Sequence, residues 1–282
     1  MTSGPWVLAV EGWPVVRTGG TVSAVLPVRP DEPVFAGHYP DFPVLPGVCV
    51  IECVHRTALA DRPDGTLASV ELARFLGPVR PGDELSIELT WSDTPAGWRC
   101  SAEVATGRAR VAQVRLGYRT QPPELPASPP VPQAGHALGL DRISALLPHR
   151  YPMLLLDRVR DLVPGATLTA VKAVSGNEPW HRDGGYPAVL VIESWCQAAG
   201  VLAPPGDQVL LLGSMTGVDL GGPVLPGDVL EHRVRLGTVV GDTAMFTGDS
   251  TVDGRTVLSV RRLMVTTRPA SELRVTEGER AR

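Results

Sequence analysis

"AVLVIESWCQAAGVL", residues 188–202, holds a single charged side chain and no proline. A run of this length without strict alternation reads as a helix, and a helix apolar on nearly every side needs burial around most of its circumference. A strongly curved sheet wrapped about it supplies that burial. Glu193 sits in the middle of the run. It is costly to bury unpaired, so a specific reason must retain it.

The same arrangement occurs earlier in the chain. "DEPVFAGHYPDFPVLPGVCVIE" (31–52) leads from Pro33 to Glu52 inside a second apolar helix, "VCVIECVHRTALA" (48–60). "NEPWHRDGGYPAVLVIE" (177–193) repeats it from Pro179 to Glu193, shortened where the first copy carries His38. "GPVRPGDEL" (77–85) recurs as "GPVLPGDVL" (222–230). Repetition at a nearly constant spacing marks a duplicated unit. Alternating runs follow the first helix, such as Leu85, Ile87, Leu89 and Trp91, or Ala112, Val114, Leu116 and Tyr118, and they read as half-buried antiparallel strands. Asp253-Gly254 in the second half reads as a hairpin turn. The proline-rich "TQPPELPASPPVPQAG" (120–135) is an extended connector. The expected organisation is a unit over 1–119, a linker over 120–136, a second unit over 137–268 and a flexible tail over 269–282. The two sheets are expected to join edge to edge with the helices side by side.

With 282 residues, 43% of them hydrophobic and 20% charged, and a net charge of −4, the chain has an ordinary globular composition, and no basic excess points to nucleic acid. The N-terminus lacks a basic signal-peptide region, and no apolar run approaches the roughly 18–20 residues of a membrane span, so a cytoplasmic protein without membrane contact is expected. Cys49, Cys53, Cys100 and Cys196 show neither CxxC spacing nor a compact framework. They read as reduced thiols packed as small hydrophobes, with no metal and no cofactor implied.

Four stretches together, "GHYPDFPVLPGV" (37–48), "LLPHRYPMLLLDRV" (146–159), "NEP" (177–179) and "ESWCQAAGVLA" (193–203), resemble the hot-dog-fold 3-hydroxyacyl-acyl carrier protein dehydratases of the FabZ/FabA type. A duplicated unit with histidine in one half and an acid in the other also resembles the dehydratase domains of polyketide synthases. The resemblance implies an α+β double hot dog, two antiparallel sheets each wrapped around a central helix and forming a pseudo-dimer in one chain. It implies a site between the halves where His38 faces Glu193, and a vestigial reciprocal site holding Glu52. The implied substrate is a (3R)-hydroxyacyl chain on the phosphopantetheine arm of an acyl carrier protein, dehydrated to an enoyl thioester in fatty-acid or polyketide assembly. The chain would act as a monomeric pseudo-dimer, with further dimerisation left open.

Eliminating water from such a thioester needs a base for the α-proton and an acid for the departing hydroxyl. His38 suits the base, because imidazole titrates near neutrality, and Glu193 suits the acid if burial raises its pKa. Gly47 and Val48 open the first helix, where free N–H groups favour negative charge developing on a thioester carbonyl. Gln197, four residues after Glu193 and on the same helical face, either helps hold the acid or substrate or is a satisfied core amide. Arg56 stands four residues after Glu52 and is expected to hold it ionised as an ion pair. His181 is expected to be non-catalytic and His149 structural. Asp41 stands where the family usually has glycine. Because such carrier proteins are generally acidic, an arginine patch is expected near the entrance, with Arg261 and Arg262 as candidates. Two competing readings are another hot-dog enzyme (a thioesterase or enoyl-CoA hydratase) and a non-catalytic partner of a separate dehydratase. Retention of both His38 and Glu193 argues against the second.

Overall fold

The computed structural model describes residues 7–8, 13–127, 136–181, 185–203 and 208–269. The two apolar runs form the expected helices, α2 (Gly47–Asp61) and α4 (Ala188–Leu202), preceded by the four-residue α1 (Val34–Gly37) and by α3 (Leu140–Leu146) respectively. Pro46 and Pro187 stand immediately before α2 and α4, where a missing N–H costs nothing. Neither helix has a side-chain cap. Packing holds them instead: Val189, Leu190, Val191, Ile192, Trp195 and Ala198 of α4 are at most 2% exposed. At about 1.5–3 kcal/mol for each large apolar side chain, their burial far outweighs the ~1 kcal/mol of a cap.

The strands of the first half are β1 (Val16–Thr18), β2 (Thr21–Pro27), β3 (Thr66–Phe75), β4 (Glu84–Thr94), β5 (Gly97–Ala105) and β6 (Arg110–Arg119). Those of the second are β7 (Arg158–Val163), β8 (Thr167–Ala173), β9 (Gln208–Leu220), β10 (Val229–Val240), β11 (Thr243–Val252) and β12 (Arg255–Pro269). All lie in one antiparallel sheet of order β1-β2-β4-β5-β6-β3-β9-β12-β11-β10-β8-β7. The order is a palindrome of the two halves, which makes the molecule a double hot dog. The seam is β3 against β9, with Val70 opposite Val218 and Ala73 opposite Met215. Behind it α2 and α4 are in contact. The alternation read in β4 and β6 is real: Leu85, Ile87, Leu89, Ala112, Val114, Leu116 and Tyr118 are all buried. Asp253 (φ 48°) and Gly254 (φ 81°) form the turn that joins β11 to β12.

The repeated GPVxPGDxL segment does the same work twice. Asp83 Oδ2 accepts the Arg80 N–H (2.7 Å) and Asp228 Oδ2 the Leu225 N–H (2.8 Å), closing equivalent turns. The valine ahead of each turn accepts an N–H from the approach to a helix: Leu45 to Val79 (2.8 Å) and Tyr186 to Val224 (2.9 Å). The motif thus fixes where each helix begins. Residues 120–127 of the linker have neither helix nor strand, and the Thr256 hydroxyl donates to the Pro126 carbonyl (2.9 Å), tying this stretch to β12. The rest of the linker to 135 lies outside the described residues, as does the expected tail beyond Pro269, the last residue of β12. All four cysteines are free thiols. Among the described residues no helix is long and apolar enough to cross a membrane.

Candidate functional site

His38 sits on the turn that ends α1, where its own N–H donates to the Val34 carbonyl (2.9 Å). Its Nδ1 lies 2.8 Å from the Val44 carbonyl oxygen. A carbonyl can only accept, so Nδ1 carries the hydrogen and Nε2 is left as the basic nitrogen. Tyr39 takes a positive φ (53°), which turns the chain, and its hydroxyl donates to the Leu210 carbonyl on β9 (2.5 Å). A bond to the second half thus steadies the first half's histidine loop.

A second cross-half contact sits beside it. The Arg150 N–H donates to the Gly37 carbonyl (2.8 Å), so the PHRYP segment of the second half lies directly against the residue before His38. The approach is so close that a Cβ on Gly37 would stand 2.2 Å from the Arg150 oxygen and 2.6 Å from the Met153 nitrogen. Only glycine fits. The Arg150 guanidinium folds back on the carbonyls of Leu147 (2.8 Å) and His149 (2.7 Å), holding the segment in shape.

Glu193 faces this junction from α4. Its Oε1 accepts from Gln197 Nε2 (3.0 Å) and lies 3.3 Å from His149 Nε2. Gln197 proves to be both things the sequence left open. Its Nε2 also donates to the Met153 carbonyl (2.8 Å) and its Oε1 accepts the Leu155 N–H (2.9 Å), so it is a satisfied core amide that also holds the acid. His38, His149 and Glu193 each bring a ring nitrogen or carboxylate oxygen within 4.8 Å of the other two. His38 is already bonded to Val44, and His149 and Glu193 to each other. A basic ring nitrogen facing a hydrogen-bonded carboxylate is an arrangement capable of moving protons. His149, expected to be structural, is therefore part of this cluster. Its motif singled it out, but its partner lies forty-four positions along the chain, and spacing alone gave no sign of the contact.

Burial and the neighbouring His149 push His38 down to about 4, against the opposing pull of Glu193 and of the Val44 carbonyl. It is a neutral base at pH 7. The expectation for Glu193 needs correction. Burial does push its pKa up, but the hydrogen bond and charge of His149, the charge of His38 and the Gln197 amide outweigh it and hold the carboxyl below its ordinary range. Glu193 is ionised in the free protein.

The cluster opens into a cavity of about 720 Å³ between the halves, lined on one side by Val50 and Phe75 and on the other by Cys196, Leu210, Leu212 and Leu263. Gly47 lines it too, and a Cβ there would meet the Phe75 ring at 2.9 Å. Val48, expected beside it, is fully buried and is not among the residues that line the cavity, because its side chain turns into the hydrophobic core. The first intrahelical bonds at this end run from Cys49 and Val50 to Pro46, which leaves the Gly47 and Val48 amides at the uncompensated end of α2. Asp41 is exposed. Arg80, Arg150 and Arg268 line the cavity, whereas Arg261 and Arg262, the candidates from sequence, are exposed on β12 and do not. The miss is one of strand position, which side-chain alternation alone does not fix.

Glu52 is buried and bonded by Arg56 Nε (3.1 Å), and the Arg56 guanidinium lies 5.3 Å from the centre of the Trp13 ring. His181 is occupied by backbone carbonyls, Ser175 at 2.5 Å and Gly185 at 3.4 Å.

Comparison with known proteins fits this geometry. Residues 15–112 match the ApeI-like model, ApeI dehydratase, and residues 147–261 match the FabA-like domain. A 3-hydroxyacyl-[acyl-carrier-protein] dehydratase FabZ from Yersinia enterocolitica is 37% identical over 155 residues, covering 51% of this chain and 92% of its own. The FabZ from Psychromonas ingrahamii is 44% identical over 110 residues, covering 35% and 73%. Among solved structures, the dehydratase domain of PpsC from Mycobacterium tuberculosis in complex with C12:1-CoA superposes with a TM-score of 0.65 at 18% identity, covering 95% of this chain and all of its own. The dehydratase domain from the CurJ module of curacin polyketide synthase gives 0.70 at 10% identity, covering 96% and 99%. At these identities the structural likeness concerns the fold.

Proposed function

The chain belongs to the family of 3-hydroxyacyl-[acyl-carrier-protein] dehydratases typified by FabZ, and from that premise we propose that it eliminates water from a (3R)-3-hydroxyacyl thioester at one site per chain. The observation that carries this is the convergence of His38 from the first half and Glu193 from the second at a cavity between them. His38 Nε2, neutral and free, takes the α-proton. The C–H electron pair becomes the new double bond, and the C3–O bond breaks as its oxygen takes a proton from Glu193, leaving as water. Glu193 must therefore enter the step protonated. An acyl chain filling the apolar cavity expels water and strengthens the burial that disfavours a carboxylate, moving Glu193 towards that form. The free amides at the start of α2, that of cavity-lining Gly47 first, are proposed to receive the charge that develops on the thioester oxygen.

Dehydratases of this family act on acyl chains carried by acyl carrier protein, and the same partner is proposed here, its phosphopantetheine arm entering between the halves beside Arg80. The two catalytic units are taken as 1–119 and 137–268, joined by 120–136, the whole acting as a monomeric pseudo-dimer. Glu52, held by Arg56, is proposed to mark a site that no longer turns over. The test is incubation with a panel of 3-hydroxyacyl carrier proteins followed by mass measurement of intact product. Loss of one water supports the proposal; release of free thiol would make the protein a thioesterase, and no change across the panel would remove the proposed activity.

A further inference from the structure

The elimination needs two groups, and the site holds three. His149 is 7% exposed, its ring meets the His38 ring edge-on at 5.2 Å between centres, and its Nε2 reaches the Glu193 carboxylate. Its Nδ1 is buried with no hydrogen-bond partner among the described residues. A bare lone pair tolerates that isolation better than an unpaired N–H does, so in the neutral ring the hydrogen belongs on Nε2, where it is donated to Glu193 Oε1. The loop bearing His149 also touches the other catalytic group, since the next residue donates its N–H to Gly37, the neighbour of His38. Four residues after His149, the Met153 carbonyl accepts from Gln197, the other donor to Glu193. One short loop therefore touches both sides of the dyad, the His38 turn and the donors to Glu193.

We propose that His149 is a positioning residue of this active site, holding the Glu193 carboxyl towards His38 while its loop clamps the His38 turn from the opposite side. The inference rests on the dehydratase reading for its kinetic consequences, but the carboxyl's own behaviour is open to measurement without turnover.

The surroundings leave few groups to confuse the outcome. Those facing the pair are His38 and Tyr39 from the α1 turn, Cys49 from α2, Cys196 from α4 and Tyr186 ahead of α4. Burial pushes both thiols and both phenols up, away from neutrality. The guanidinium of Arg150 is turned onto backbone carbonyls. None of these thiols and phenols, nor the guanidinium, exchanges a proton in the range where the carboxyl is followed.

The experiment compares wild type with His149→Leu, which removes the donor, and His149→Gln, whose side-chain amide nitrogen can stand close to the position of Nε2 but cannot titrate. In wild type the two donors keep the carboxyl ionised against burial. In His149→Leu burial prevails, so Glu193, followed by carbon-13 chemical shift of the labelled side chain and assigned with Glu193→Gln, should titrate at least one pH unit higher. The limb of the kcat/KM profile that reports Glu193 should move up with it, and kcat at its optimum should fall tenfold or more with KM within about threefold. His149→Gln should keep the titration near wild type and recover most of kcat. A folded His149→Leu whose Glu193 titration is unchanged overturns the proposal whatever the activity, and a His149→Gln variant that behaves like His149→Leu overturns the donor role. If the carboxyl shifts but no variant dehydrates any substrate, the dehydratase reading fails and the positioning role stands.

Discussion

Gly37→Ala adds one methyl group at the point where the halves press hardest against each other. The added carbon would stand 2.2 Å from the Arg150 carbonyl oxygen, whereas ordinary contact begins at 3.4 Å, so about 1.2 Å of separation must be found. No side chain can swing away to provide it, since the obstructing atoms are backbone. The Arg150 oxygen is further fixed by accepting the Met153 (2.7 Å) and Leu154 (2.9 Å) N–H groups. The His38 turn must therefore move as a body away from the His149 loop. A displacement of about 1 Å in reacting groups costs on the order of 10²-fold in rate, while overpacking costs roughly 1–3 kcal/mol of stability, an amount a chain of this size should survive. The expected outcome is a folded protein with kcat lowered about 10²-fold and Tm lowered by roughly 2–12 °C, at ~2–4 °C per kcal/mol. Steady-state dehydration of a 3-hydroxyacyl thioester and a thermal melt measure both. Gly20→Ala, whose new methyl meets nothing within 4 Å, serves as the control and should match wild type. A folded Gly37→Ala with kcat within about threefold of wild type would refute the claim that this contact sets the dyad's separation.

His38→Ala and Glu193→Gln should each lower kcat by at least ~10²-fold, whereas Glu52→Gln and His181→Ala should leave it within a few-fold; parity among the four would dissolve the one-site assignment. Mixing His38→Ala chains with Glu193→Gln chains should restore no activity, because both intact residues must come from one chain; recovery would place the site between chains. Arg80→Glu should raise KM for carrier-bound substrate well above its effect on a small thioester mimic, and equal effects would argue against a carrier docking there. Stability should fall with acid. The folded-state pKa values of His38 (about 4) and His232 (about 3) lie below the unfolded value near 6.5, so the unfolded chain binds protons first as pH falls. Their neutral burial is fully tolerated above pH 6.5, and each removes about 3 kcal/mol as pH falls from there to 4, at ~1.4 kcal/mol per pH unit. Urea midpoints that stay flat from pH 7 to 4 would contradict those environments.

Much of this architecture is legible before any coordinates, for a physical reason: it is written twice. The repeated GPVxPGDxL turn, the all-round apolarity of α4 and the alternation in β4 and β6 are local patterns, and each appears where the sequence places it. The parts that escaped are the non-local ones. Burial around Glu193 can be read from its helix, which suggests a raised pKa. Gln197, one turn on, is legible from its spacing, but the other donor that reverses the sign, His149, comes from a loop forty-four positions upstream. Arg261 and Arg262 are adjacent in sequence to cavity-lining Leu263, yet their side chains are exposed and do not reach the cavity.

The seam between β3 and β9 also governs the order in which the chain can be finished. Phe75 ends β3 and Leu220 ends β9, so the first half leaves the ribosome with one long edge unpaired until roughly 145 more residues have been made. At ~5–20 residues per second this is a wait of roughly 7–30 s, in which an open edge can recruit any strand that offers itself, including the same edge of another nascent chain. Glu71 and Arg74 lie along that edge, the first paired to Arg99 and the second exposed, and charges there discourage such pairing. Truncation within the second half should accordingly yield self-associated material rather than a stable single hot dog, and charge-neutral substitutions at Glu71 and Arg74 should lower soluble yield more than they lower the stability of the finished protein.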